Sequence, residues 1–269
     1  MPTMPRTSIG GLSISRIVCG SNPFFGYSHF TRSRDMWMRR YFTDDRIKEV
    51  MARACEFGIN CILSGIQDRL HRIIEELESE GREMHWICTP GGSISEVKEG
   101  IEWCGEHNVE ICMPHQNYTD NNLVPSEDRL IGYDEIACLI RDQGMIPALS
   151  THRPETVVVM DRAGADVESY VVPFNSIGFL SNVEVEWVRR VITNSDKPII
   201  IIKPLAAGRL TPEVGLPFVL RNIKDRDAVA IGFSNSMEVE EDIEIFGSAL
   251  SGQIEDMPLS TSRSKAVFD

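Results

Sequence analysis

Three side chains able to hold or move a proton stand just past apolar runs of this chain: His115 after 109–113, His152 after 146–150 and Lys203 after 198–202. Imidazole titrates near neutral pH, and a lysine amine moves toward that range when it is desolvated. The trio therefore suits acid/base chemistry. His115 and His152 are expected to be proton-transfer groups, or alternatively two ligands of a divalent metal, although the sequence places no clear carboxylate partner beside them. Lys203 is expected to anchor or polarise an anionic substrate, the alternatives being a Schiff-base nucleophile and an ion-pair partner. Asp68 is an auxiliary carboxylate. Asn22, His29, Gln67, Arg153, Asn175, Arg209 and Ser234, which follow these or other apolar runs, are the candidate substrate-binding groups. His71, His85 and His107 fall inside helix or strand patterns and are assigned no chemistry.

What must position these groups is a repeated unit. Eight short apolar runs occur at 16–19, 59–63, 84–89, 109–113, 146–150, 170–174, 198–202 and 228–232. A β-branched run bounded by Gly or Pro reads as a strand buried on both faces, so the first polar side chain beyond it marks where the strand surfaces. Segments with helical periodicity follow each run, at 44–56, 69–80, 95–106, 133–143, 155–163, 183–193, 216–223 and 237–250. Ser93 with Glu96 fits a capping box, while Gly58, Gly81, Asn108, Gly144 and Gly164 stand where helix ends need a left-handed residue. Alternating strands and helices give an α/β fold, and eight units close most economically into a (β/α)8 TIM barrel. Residues 8–13, with Gly10 and Gly11 at the turn, read as an N-terminal β-hairpin plugging the barrel bottom.

Functional groups of such barrels gather at strand C-termini. Two long connections, 21–42 and 115–132, start there, and the first carries Phe24, Phe25, Tyr27, Phe30, Trp37 and Tyr41, which form either a lid or a face for a neighbouring subunit. The turn 206–209 and the helix start at 234–236 are small and polar enough to admit an anion, with Arg209 adding a contact.

The chain has 27 Lys and Arg against 40 Asp and Glu, a formal net charge of −13. That balance argues against nucleic acid and anionic membranes as partners. No apolar run approaches a membrane span, and the first residues carry no secretory pattern, so the expected compartment is the cytoplasm. The seven cysteines include no C-x-x-C pair and read as reduced thiols, core or near-surface. The whole of 1–269 is expected to be one barrel domain with a C-terminal tail at 251–269; a homo-oligomer is left open.

The hairpin, the segment Ile-Ser-Arg-Ile-Val-Cys-Gly at 14–20, Gly58-Ile59-Asn60, and the turn Pro-Leu-Ala-Ala-Gly-Arg-Leu at 204–210 together resemble the aldo/keto reductase superfamily over nearly the whole chain. The resemblance implies hydride transfer from a nicotinamide cofactor, with a catalytic Asp, Tyr, Lys and His. Carried over position by position, the Asp becomes Leu63, the Tyr becomes Asp68, and the Lys becomes Thr89 or Pro90; His115 alone keeps its identity. In the cofactor pocket, the Ser-Asn pair aligns with Ser150 and Thr151, the Gln with a position near Val171, and the stacking Tyr with Ile202. Where NADP-dependent members carry basic residues, this chain has Glu238, Glu240, Glu241 and Asp242. These departures count against a nicotinamide cofactor. The expectation is a non-redox enzyme on this barrel, an isomerase or lyase using acid/base and conceivably metal-assisted chemistry on a small polar anionic metabolite. The alternatives are an NAD(P)-dependent oxidoreductase with an atypical site and a non-catalytic binding or scaffold protein.

Overall fold

The computed structural model describes residues 4–252. From 253 onward the expected tail lies outside the described residues. β1 (Arg6–Ile9) and β2 (Leu12–Ser15) pair antiparallel as the hairpin, turning at Gly10 and Gly11, whose φ values of 55° and 91° favour glycine. Then come β3 (Ile17–Gly20), α1 (Arg32–Tyr41), α2 (Asp44–Glu56), β4 (Cys61–Ser64), α3 (Asp68–Ser79), β5 (His85–Cys88) and α4 (Ile94–Glu106). The middle of the chain forms β6 (Ile111–Cys112), α5 (Gln116–Asn122), a small antiparallel pair β7 (Leu123–Val124) and β8 (Arg129–Leu130), and α6 (Tyr133–Asp142). β9 (Ile146–Pro147), β10 (Leu149–Ser150), α7 (Glu155–Arg162), β11 (Tyr170–Pro173), α8 (Val185–Asn194), β12 (Ile199–Ile202), α9 (Pro212–Arg221), β13 (Ala228–Ile231) and α10 (Ser236–Leu250) complete it.

The parallel sheet runs β10-β11-β12-β13-β3-β4-β5-β6-β9. β9 and β10 are two halves of one strand interrupted at Ala148: the first half pairs with β6, the second with β11, and the sheet closes through them. The expected eight-stranded barrel is therefore the observed one. Side chains alternate between two cores. Val18, Cys61, Ile87, Ile111, Ala148, Val171, Ile200 and Ala230 fill the interior together with Ile9 and Ile14 of the hairpin. Ile17, Ile62, Trp86, Val172, Ile201 and Val229 point outward against the helices. The helices packed on the barrel offer apolar stripes to them, such as Ile47, Val50, Met51 and Ala54 on α2, whereas α1 buries only Met38.

Helix ends follow their local chemistry. Ser93 and Glu96 make the capping box of α4, and Gly58, Gly81, Asn108, Gly144 and Gly164 all have positive φ. α9 starts at Pro212 instead of near 216: proline is tolerated in a first turn because its missing N–H would be unpaired there anyway. All seven cysteines are free, five of them buried. Among the described residues no helix is long and apolar enough to cross a membrane.

Candidate functional site

A cavity of about 860 Å³ opens at the C-terminal ends of the barrel strands. Lys203, immediately beyond β12, lines it. The backbone there is unusual: Lys203, Ala206 and Ala207 have φ values of 59°, 48° and 57°. A left-handed conformation costs a residue with a Cβ roughly 1–3 kcal/mol, and such strain concentrates at functional sites. Lys203 Nζ lies 3.4 Å from His29 Nε2. No carboxylate is within ion-pairing distance of this amine among the described residues, which removes the ion-pair reading. Burial alone lowers its pKa to about 8.

The three histidines of the mouth are held differently. His29, from the loop after β3, bonds through Nδ1 to the Tyr27 carbonyl at 2.9 Å, so its proton sits on Nδ1 and Nε2 is free to accept from Lys203. Burial, and then the Lys203 charge, lowers its pKa. His115 caps α5, and its Nδ1 accepts the Asn117 N–H at 3.3 Å, leaving Nε2 to carry the proton. His152 follows β10; burial, followed by the positive fields of Lys203, His115 and His29, drives its pKa down to about 4. Its backbone N–H donates to the Asp120 carboxylate, which also accepts the Thr151 hydroxyl at 2.6 Å. Asp120 thus fixes the turn that presents His152. Its place inside the polar helix α5 gave no sequence signal.

Asn22, His29, Gln67, His115, His152, Lys203 and Ser234 all line the cavity, as do Leu63, Thr89, Ser150, Val171 and Ile202. Asp68, Arg153, Asn175 and Arg209 do not. Asp68 opens α3, where its side chain is exposed in the first turn. Arg153 pairs with Glu155 at 2.9 Å and donates to the Asp120 carbonyl at 3.1 Å. Asn175 is buried and clasps both backbone polar groups of Phe179, shaping the loop after β11. Arg209 donates to the carbonyls of Ala206 and His29 and lies over the rings of Phe30 and Phe179. It ties the first loop to the loop after β12 instead of meeting a ligand.

The expected anion cradle at 234–236 is filled by the protein itself. Ser234 N–H donates to Glu238 Oε2 at 2.7 Å, and the N–H groups of Met237 and Glu238 donate to the Asn235 side chain. The metal alternative also lacks support in the geometry: among the described residues no three His, Cys, Asp or Glu side chains converge as ligands. Of the aromatic loop, Phe24 is core, Trp37 stacks on Tyr41 at 4.9 Å, and Tyr27 with His29 borders the cavity.

The acidic run of α10 stands where the resemblance would place basic residues. The structure divides it. Glu240 pairs outward with Arg53 at 2.7 Å, whereas Glu238, Glu241 and Asp242 line the cavity, and Asp242 is 4% exposed. Burial, then repulsion by Glu238, Glu241 and Glu213, raises the Asp242 pKa to about 8. A second depression, of about 560 Å³, lies between α4 and α6, far from the strand ends, and is bordered by the Lys98–Glu135 ion pair.

No protein-family model and no curated protein sequence matches the chain. Solved structures do. A Pseudomonas aeruginosa protein assigned to the aldo-keto reductases superposes with a TM-score of 0.69 at 17% identity, over 91% of this chain and 96% of that one. The glycerol dehydrogenase of Gluconobacter oxydans gives 0.63 at 12% identity, over 97% and 99%. Ribulose-1,5-bisphosphate carboxylase/oxygenase of Pyrococcus horikoshii gives 0.54 at 11% identity, over 79% of this chain and 55% of that one. At such identities likeness establishes architecture, and chemistry has to be argued from the site. The chain shares the (β/α)8 barrel architecture of these solved structures.

Proposed function

We propose that this protein is a non-redox enzyme that binds a small anionic carbonyl compound at Lys203 and moves a proton on it between imidazoles. The observation carrying this reading is the Lys203 amine, which faces His29 at 3.4 Å in a cavity that also holds His115 and His152, with no carboxylate within ion-pairing distance of it among the described residues. Such a group is completed by an anion. Binding one offsets the positive field on His152 and raises its basicity toward the neutral range, where a general base works best. His152 then takes the proton from the carbon next to the carbonyl, while Nε2–H of His115 donates to the oxygen that becomes negative. In a 2-hydroxy carbonyl compound, His115 passes the hydroxyl proton from one oxygen of the enediolate to the other while His152 returns its proton to the former carbonyl carbon, which gives the isomer; where a leaving group sits beta to the carbonyl, the enolate expels it with its electron pair and gives a lyase product. Measuring solvent deuterium incorporation into small 2-keto and 2-hydroxy carboxylates tests this. Exchange that is lost in His152→Ala and Lys203→Met supports it, and no exchange across the series removes it.

A second reading, hydride transfer with a nicotinamide dinucleotide, is favoured by the fold neighbours and by the extent of the cavity, which continues past Pro204, Leu205 and Pro212 to α10. The residues present fit that group poorly. Ile202 and Val171 replace a stacking ring and an amide, Thr151 is turned to Asp120, and Glu238 takes the Ser234 N–H that a phosphate would need. Titration with NADPH, followed by the fluorescence of the four tryptophans, separates the two readings. Saturable quenching favours the reductase.

A further inference from the structure

Lys203 and the imidazoles line the cavity from the loops after the strands, and α10 lines the same cavity with carboxylates. There the carboxylates differ in how they are held. Glu238 accepts from Ser234 N–H at 2.7 Å and from Asn235 Nδ2 at 3.3 Å, so it is satisfied within the protein. Asp242 is buried, lines the cavity, and makes no hydrogen bond or ion pair among the described residues. From α9, Glu213 contributes a further carboxylate whose Oε2 is buried without a partner. On α2, the nearest charged groups are engaged elsewhere: Arg53 with Glu240 and Glu56, and Glu49 with the Ser236 hydroxyl. Leaving a buried carboxylate unpaired destabilises a fold, and such groups are normally matched by a cation or a donor. The match is not a metal by geometry, since no third ligand converges. An ammonium or guanidinium group supplies both the charge and several N–H donors.

We infer that the ligand is dipolar, with an anionic group seated at Lys203 and an ammonium or guanidinium group seated against Asp242. This rests on the assignment of the anion to Lys203 made above. Lys203 and Asp242 both line one volume of about 860 Å³, within the range of small-molecule sites. The substrate class narrows accordingly to amino acids and related compounds carrying a carboxylate or phosphate at one end and a basic group at the other.

The test is calorimetric titration of the full chain with ω-amino carboxylates from 4-aminobutyrate to 8-aminooctanoate, each against the matched carboxylate lacking the amine. The expected result is one chain length that binds at least about tenfold more tightly than its matched carboxylate. Asp242→Asn abolishes this advantage and leaves the plain carboxylate unchanged, and Lys203→Met weakens both. Asn is nearly isosteric with Asp, and the wild-type comparison stands without the variant. Equal binding of amine and matched carboxylate, both dependent on Lys203, overturns the dipolar ligand and leaves the anion site standing. Binding of neither, or binding indifferent to Lys203, overturns both. If NAD+ binds instead and loses affinity in Asp242→Asn, the acidic end belongs to sugar hydroxyls, and the inference falls.

Discussion

Lys203 Nζ and His29 Nε2 stand 3.4 Å apart although they come from loops separated by β13. Because His29 Nδ1 donates to the Tyr27 carbonyl, the contact is an ammonium donating to a neutral ring. With its pKa lowered to about 8, Lys203 is charged below that pH and neutral above it. Hexanoate affinity is therefore expected to fall as pH rises through about 8, and Lys203→Met to lower it at least about tenfold and remove the pH step. Calorimetry from pH 6 to 10 checks this. A flat profile in the wild type sinks the role of the amine.

His152 should titrate near pH 4 in the free protein because burial and three positive neighbours oppose its charge. Removing the closest formal charge with Lys203→Met raises that value, and so does a bound anion. Histidine ring resonances followed by NMR across pH 3 to 8 report it directly. An ordinary midpoint near 6.5 would show that His152 is solvated and free of these fields.

Asp242 predicts a stability change with a definite sign. Its folded pKa of about 8 exceeds the unfolded value of about 3.9, so the native state holds the proton more tightly, and this contribution is lost as pH rises from about 4 to about 8. Asp242→Asn is expected to raise Tm, with the gain growing across that window to about 1–3 kcal/mol at pH 8. Thermal melts of both proteins at several pH values measure the difference. An unchanged or lowered Tm at pH 8 contradicts it.

Gly91 borders the cavity beside His115. A Cβ there would lie 2.8 Å from the His115 Cβ and 2.7 Å from Asn117 Oδ1. Gly91→Ala should displace the ring by shifting the start of α5, and cost roughly 1–3 kcal/mol of stability. Deuterium exchange into substrate should drop while hexanoate binding at Lys203 persists. Loss of both together would mean that the whole mouth had collapsed.

The barrel was legible because its strands are apolar runs whose ends are marked by the first polar residue. That rule brings Lys203, His115 and His152 to the strand ends, where all three line one cavity. It misled at Asp68, where α3 begins at once and turns the side chain to solvent, and at Arg153 and Asn175, whose polar atoms satisfy nearby backbone and side-chain groups. α1 escaped because only Met38 of its ten residues is buried, so no apolar stripe exists to be read. α5 is short and polar, with Tyr118 and Thr119 its only buried residues. Asp242 was hidden in a run of like charges: which carboxylate faces inward depends on the rotation of α10 about its axis, fixed by Val239, Ile245 and Phe246 packing on the sheet.

The hairpin has a kinetic consequence. Ile9 and Ile14 close the lower end of the interior, so the cavity lined by Tyr27, His29 and Lys203 is approached from the side of the strand C-termini. On the proposed function, product leaves on the side by which substrate enters, and whatever slows the loop that carries His29 slows arrival and departure alike.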